Sequence, residues 1–262
     1  MTLQLASMEH PGGRGMARPD VIDRLSIRQR PGVLPLMYQS WRKLLFMHWR
    51  LPAELLRPHV PERLRIDTFD GEAWVGITPF LVRNLRPAFL PALPWLSDFD
   101  EVNVRTYVHH DGVPGVWFFS LDASSLLAVI GASAAYRLPY RYAEIIVREE
   151  KEKIVYSSRR AGSAAEPAVL KVSWLKGDMV GEAEPESLEF FLVERYCLYA
   201  AAGNDLYRAR IFHPPWKLQT AELISCRSTL LEAQRLPKPE GHPLLHYSEL
   251  QDTSIWPLKK VT

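Results

Sequence analysis

The sequence predicts a single β-rich domain with a few short helices, an α+β chain built mostly from antiparallel hairpins. Two Asp-Gly pairs, Asp70-Gly71 and Asp111-Gly112, each sit between alternating apolar and polar runs, the strongest short-range hairpin signal. Roughly ten strand-like runs stand against two or three helical ones. Neither a repeat nor a composition break after residue 30 divides the 262 residues into two cores.

In chain order, residues 1–30 are rich in Gly, Pro and Arg without a period and read as a disordered N-terminal arm. Met8 and Met16 leave the translational start open. The domain then spans 31–262. "LPAELLRPHVP" (51–61) predicts a short helix with Pro52 in its first turn, stopped by Pro58 and Pro61. "LRIDTFDGEAWVGITPFLV", "EVNVRTYVHHDGVPGVWFFSLDA" and "AEIIVREEKEKIVYSSRR" predict three strand pairs, the last turning in "REEKEK" (148–153). "AVLKVSWLKGDMVGEA" adds further strand, and "RYCLYAAAGNDLYRARIFH" another pair turning at Gly203-Asn204-Asp205. "SSLLAVIGASAAYRL" (124–138) is apolar almost all round and predicts a buried helix. "PESLEFFLVERY" (185–196) opens with Pro185 and acidic residues, which suits a helix N-terminus. A closed or conical barrel would remove the free edges of so many strands.

A formal charge of +2 gives no reason to expect a nucleic-acid partner. No run reaches the ~18 apolar residues of a membrane helix, and the N-terminus lacks the apolar core of a signal peptide. The expected location is therefore the cytoplasm. Cys197 and Cys226 lack CxxC spacing and read as two buried thiols, with one disulfide left open. Phosphate-loop, dinucleotide, HExxH and GxSxG motifs are absent from the sequence. His109-His110 read as a solvated hairpin tip, and Pro243 breaks the His242/His246 helical spacing, so neither a metal nor a cofactor is expected.

The sharpest feature is "DEVNVRTYV" (100–108). Glu101, Asn103, Arg105 and Tyr107 alternate with Val102, Val104, Thr106 and Val108, so a strand here has one polar and one apolar face. The polar row is either solvated surface or the lining of a cavity.

Six motifs come in a telling order: "FDGEAWVGITPF", "FDEVNVRTYV", "PGVWFFSLDA", "RLPYRYA", "ERYCLYA" and "HPPWKL". Together, over about residues 35–258, they resemble the YqjF-like family of the acetoacetate decarboxylase-like superfamily. The resemblance implies an antiparallel β-barrel or cone around a central cavity, with peripheral helices. In the decarboxylase a strand glutamate and a lysine pair after a proline face that cavity, and the first lysine forms a Schiff base. The corresponding residues here look like Glu101 and Pro139-Tyr140-Arg141. Tyrosine forms no imine and arginine keeps its proton, so imine chemistry is not expected; Lys43, Lys171 and Lys217 lie outside the matched segment.

Within a barrel, the helix at 124–138 is expected to cover the Val102/Val104 face, turning Glu101, Asn103 and Arg105 inward. A buried Glu101 is then expected to pair with Arg105 or Arg141. Glu101 and Tyr140 are the candidate catalytic residues, while Asn103, Arg105 and Arg141 are the candidate binders of an organic anion. Three classes stand: a lyase- or hydrolase-like enzyme on a small carboxylate or carbonyl compound, a non-catalytic small-molecule-binding protein, or a structural protein with a filled barrel. A homo-oligomer is left open.

Overall fold

Turn chemistry sets the frame. Both residues of Asp111-Gly112 hold positive φ (49° and 74°), the geometry that a tight hairpin of right-twisted strands needs. They join β4 (Phe99–His110) to β5 (Val113–Ala123). The computed structural model describes residues 18–93, 97–162 and 167–261. Its remaining strands are β1 (Met37–Leu51), β2 (Arg65–Ile66), β3 (Ala73–Pro87), β6 (Tyr140–Glu150), β7 (Lys153–Arg160), β8 (Val169–Gly181), β9 (Cys197–Ala202), β10 (Asp205–Phe212), β11 (Leu218–Ser228), β12 (Leu244–Ile255) and β13 (Lys259–Val261). The helices are α1 (Val21–Ser26), α2 (Ala53–Leu56), α3 (Leu126–Tyr136) and α4 (Leu188–Val193). None is long and apolar enough to cross a membrane.

All the strands join one 13-stranded sheet that closes on itself twice. One circuit runs β1–β3–β4–β5–β9–β10–β12 and back to β1. The other leaves β5 through β6, β7, β8 and β11 and returns at β12. The result is an uneven, cone-like ring rather than a regular barrel. Most pairings are antiparallel, but β5 is parallel to both β6 and β9 over short seams. The β5–β6 seam is parallel because α3 is the crossover between those strands.

The shared wall of β1, β3 and β4 is buried on both faces. Val75, Ile77, Val102 and Val104 pack with Leu45, Met47, Ile154, Tyr156, Leu170, Val172 and Trp174 in one core. Phe46, Trp74, Phe80, Phe99 and Tyr107 face the other way, toward Phe191 and Trp216. The valine face is thus covered by β7 and β8, not by α3. The polar row does face inward, but for a different reason from the one expected.

Several expectations change. Within residues 18–30, the predicted loose arm gives way to α1, capped by Asp20 and tied down by Arg24; residues 1–17 lie outside the described residues. Arg65–Ile66 pairs with His109 and Val108 of β4 instead of folding back around Asp70-Gly71. The reason is Asp67, fully buried, which accepts bidentate hydrogen bonds from Arg24 (2.9 and 2.8 Å) and one from Arg195 (2.7 Å). That ion triad pulls the chain inward before the Asp70-Gly71 turn. Helix α3 is not buried: Leu126, Leu127 and Ile130 are each more than half exposed. His109 and His110 are buried rather than solvated, and Cys226 is exposed while Cys197 is buried.

Candidate active site: a neutral glutamate and an unpaired arginine in one cavity

Strand register assembles the site. Phe80, Thr78 and Gly76 of β3 lie opposite Glu101, Asn103 and Arg105 of β4, so these positions share a face. That face looks into a cavity of about 730 Å³ enclosed by the circuit through β9 and β10. Tyr140 enters from the start of β6, where it pairs with Leu121. Its hydroxyl donates to Glu101 Oε2 at 3.0 Å.

Glu101 is almost wholly buried and, among the described residues, forms no salt bridge. Burial lifts its pKa to about 8, hydrogen bonds from Tyr140 and Asn103 oppose the rise, and the nearby Asp122 adds to it. At neutral pH it is mainly a carboxylic acid. Burial, with Glu101 next to it, raises the Tyr140 hydroxyl well above its usual range, so tyrosine serves as a donor and not as a base. The expected Glu101–Arg105 and Glu101–Arg141 ion pairs do not form. Arg24, Arg83, Arg160 and Arg195 instead pair with Asp67, Asp100, Asp122 and Asp67.

Arg105 faces the cavity without a carboxylate partner among the described residues. Its guanidinium lies over the Phe46 ring, 5.2 Å from the centroid, and its buried Nε has no hydrogen-bond partner. Gly76 makes room for it. A Cβ at that position would lie 3.0 Å from His48 Cδ2 and 3.6 Å from Arg105 Cγ. Asn103 Oδ1 and Thr78 Oγ1 line the same cavity, buried and also without partners. Buried polar groups are rarely left unsatisfied, and three in one cavity mark where a polar ligand would bond.

Arg141 is the residue that the structure removes from the cluster. Successive residues of a strand face opposite ways, so with Tyr140 inside, Arg141 must point out. It is exposed, and its hydrogen bond goes to the Tyr140 carbonyl at 3.4 Å. Sequence reasoning missed Thr78 and His48. Each was legible as a polar residue on the Leu44/Phe46 or Phe80 face of an otherwise apolar strand. His48 lies behind Arg105, its Nε2 2.6 Å from the Tyr107 hydroxyl, and burial with Arg105 nearby keeps it well below its usual pKa and neutral.

Glu194, Arg195 and Tyr196 form a supporting layer. Glu194 accepts from the Tyr196 hydroxyl and from the Trp216 backbone N–H (3.0 Å), while Arg195 pairs with Asp67. His213 stacks on Tyr196 (centroids 4.5 Å apart) and lies 5.0 Å from the Trp216 ring, which forms part of the cavity wall. No group of three or more His, Cys, Asp or Glu suited to a metal occurs among the described residues.

A cone of strands closed on itself is the acetoacetate decarboxylase-like fold class. The chain belongs to the DUF2071 family, described as an uncharacterized conserved protein, which matches residues 38–252. It is 40% identical to the uncharacterized protein YqjF of Bacillus subtilis over 230 residues, 88% of this chain and 94% of that one. Acetoacetate decarboxylase from Legionella pneumophila superposes with a TM-score of 0.59 at 13% identity, covering 99% of this chain and 98% of its own. The enduracididine biosynthesis enzyme MppR complexed with pyruvate gives 0.61 at 9% identity, over 89% and 93%. Such identities carry the fold and not the chemistry.

Proposed function

We propose that the cavity binds an organic acid or carbonyl compound and that the protein is an enzyme acting on it without a lysine imine. The observation that carries this reading is a glutamic acid held neutral in the same buried wall as an arginine with no carboxylate partner. Arginine's planar fork matches a carboxylate. A neutral Glu101, oriented by Tyr140, donates to a carbonyl oxygen, and its ionised form above pH 8 takes a proton from the carbon next to that carbonyl. Asn103 and Thr78 complete the polar contacts. A pyruvate-bound neighbour of the same fold agrees with an acid of this kind. No lysine or cysteine lines the described cavity, which argues against imine and thiolate chemistry and suits a lyase- or hydrolase-like reaction by proton transfer.

The test follows deuterium incorporation into the methyl group of pyruvate by NMR, in heavy water, from pH 6 to 9. Exchange that rises through about pH 8 and is lost in Glu101→Gln supports the reading. Arg105→Met should weaken pyruvate binding at least tenfold while the fold is kept. Binding without exchange in the wild type would leave a non-catalytic binding protein in its place. Incubation with acetoacetate and borohydride should leave the protein's mass unchanged.

A further inference from the structure

The cavity is far larger than the head group needs. At about 730 Å³ it falls in the range of sites that enclose drug-sized molecules, not three-carbon acids. Beyond the Glu101 cluster the lining is mainly aliphatic and aromatic, with Gln39, Arg86 and Ser97 as the polar exceptions. Helix α3 accounts for much of the volume. Ala128, Gly131, Ala132 and Ala135 recur at i, i+3, i+4 and i+7, and all four face the cavity. Their small side chains leave a trough that larger residues would fill, and a Cβ at Gly131 would meet nothing within 4 Å. Where the lining reaches the surface, Leu90 and Leu127 are each 59% exposed, so apolar side chains flank the opening. At the closed end sit the unpartnered buried atoms of Thr78, Asn103 and Arg105.

We propose that the ligand is amphipathic, an acid with an unbranched aliphatic tail. Its carboxylate sits at Arg105 and Glu101, and its tail runs along the small-residue face of α3 toward Leu90 and Leu127. This inference rests on the head-group reading above and adds the tail. Each methylene buried along the trough should tighten binding about fourfold, and burial of the tail should give a negative heat-capacity change.

The test is calorimetric titration of the intact protein with butanoate, hexanoate, octanoate and decanoate, and with the matching primary alcohols. Tightening of about fourfold per methylene, with acids at least tenfold tighter than alcohols, is the expected result. Ala132→Phe, or Ala135→Phe should the first fold poorly, should keep butanoate binding and flatten the dependence on length. Arg105→Met should abolish the preference for acids and keep the dependence on length. Acids that bind with affinity independent of length would overturn the tail and leave the head-group reading standing. A length dependence identical for acids and alcohols, and unchanged by Arg105→Met, would overturn the amphipathic ligand together with that reading.

Discussion

Glu101 carries a stability signature opposite in sign to that of a salt-bridged carboxylate. Its folded pKa of about 8 lies above the ordinary 4.5, so between those values the native state holds a proton that the unfolded chain releases. Stability therefore falls as pH rises through this window, and the loss is complete above about 8. Glu101→Gln keeps the shape of the neutral acid and removes the titration. In urea unfolding the variant should match the wild type near pH 5 and gain on it by a few kcal/mol, in order of magnitude, by pH 9. Parallel pH dependences would show that Glu101 is ionised and paired after all. Arg141→Ala, by contrast, should change stability by less than about 0.5 kcal/mol and leave acid binding intact. Both expectations differ from what the sequence suggested, each for its own reason. Matching Pro139-Tyr140-Arg141 to a lysine pair puts two neighbouring residues in one cavity, and the alternation along β6 admits one. The ion pair assigned to Glu101 failed because charge type can be read from a sequence whereas side-chain reach cannot.

Among the elements, β3 and β4 were the most legible and α3 the least. Alternation in "EVNVRTYV" and the Asp111-Gly112 turn determine which residues share a face; β4 keeps that alternation from Glu101 to Tyr107, and the irregularity in its pairing falls on β5, which carries an extra residue at Phe119. Helix α3 is apolar all round, yet it has a cavity on one side and exposed Leu126 and Ile130 on the other, and composition does not distinguish that from burial. Gly76 is the element-scale weak point. Gly76→Val should force His48 and Arg105 apart, cost about 1–3 kcal/mol of stability by overpacking, and weaken acid binding more than Arg141→Ala does. The N-terminal helix is a second such point. Burial alone would raise Asp67, but Arg195 and Arg24 outweigh it and hold its pKa below the usual carboxylate range. Its contribution is therefore present above about pH 4 and is lost as pH falls through the folded value. Arg195→Met should cost about 3–5 kcal/mol near neutral pH, toward the lower end because Arg24 remains. Sequence reading could not find this triad, since its members at positions 24, 67 and 195 meet only in the folded chain.

For the whole molecule, the β-rich class and the cone were legible from hairpin count and resemblance, but the double closure was not. A second circuit depends on β5 pairing with β9 as well as β6, and two-residue seams of that kind leave no local pattern. Sharing one wall also explains why the strand with the sharpest polar row carries the valines of the opposite core. The consequence lies in how such a chain is made. β1 pairs with β12 from Met37 against Ile255 to His48 against Leu244, so neither circuit can close until nearly the whole chain has left the ribosome. Counted from the completion of β4 at His110, that delay is on the order of ten to thirty seconds at ordinary rates of synthesis. Throughout it the wall of β1, β3 and β4 has two apolar faces and no second half to cover them. Long-range pairing of this kind folds slowly, and the nascent chain is most prone to aggregation in that interval, so soluble yield should rise when a holding chaperone is supplied.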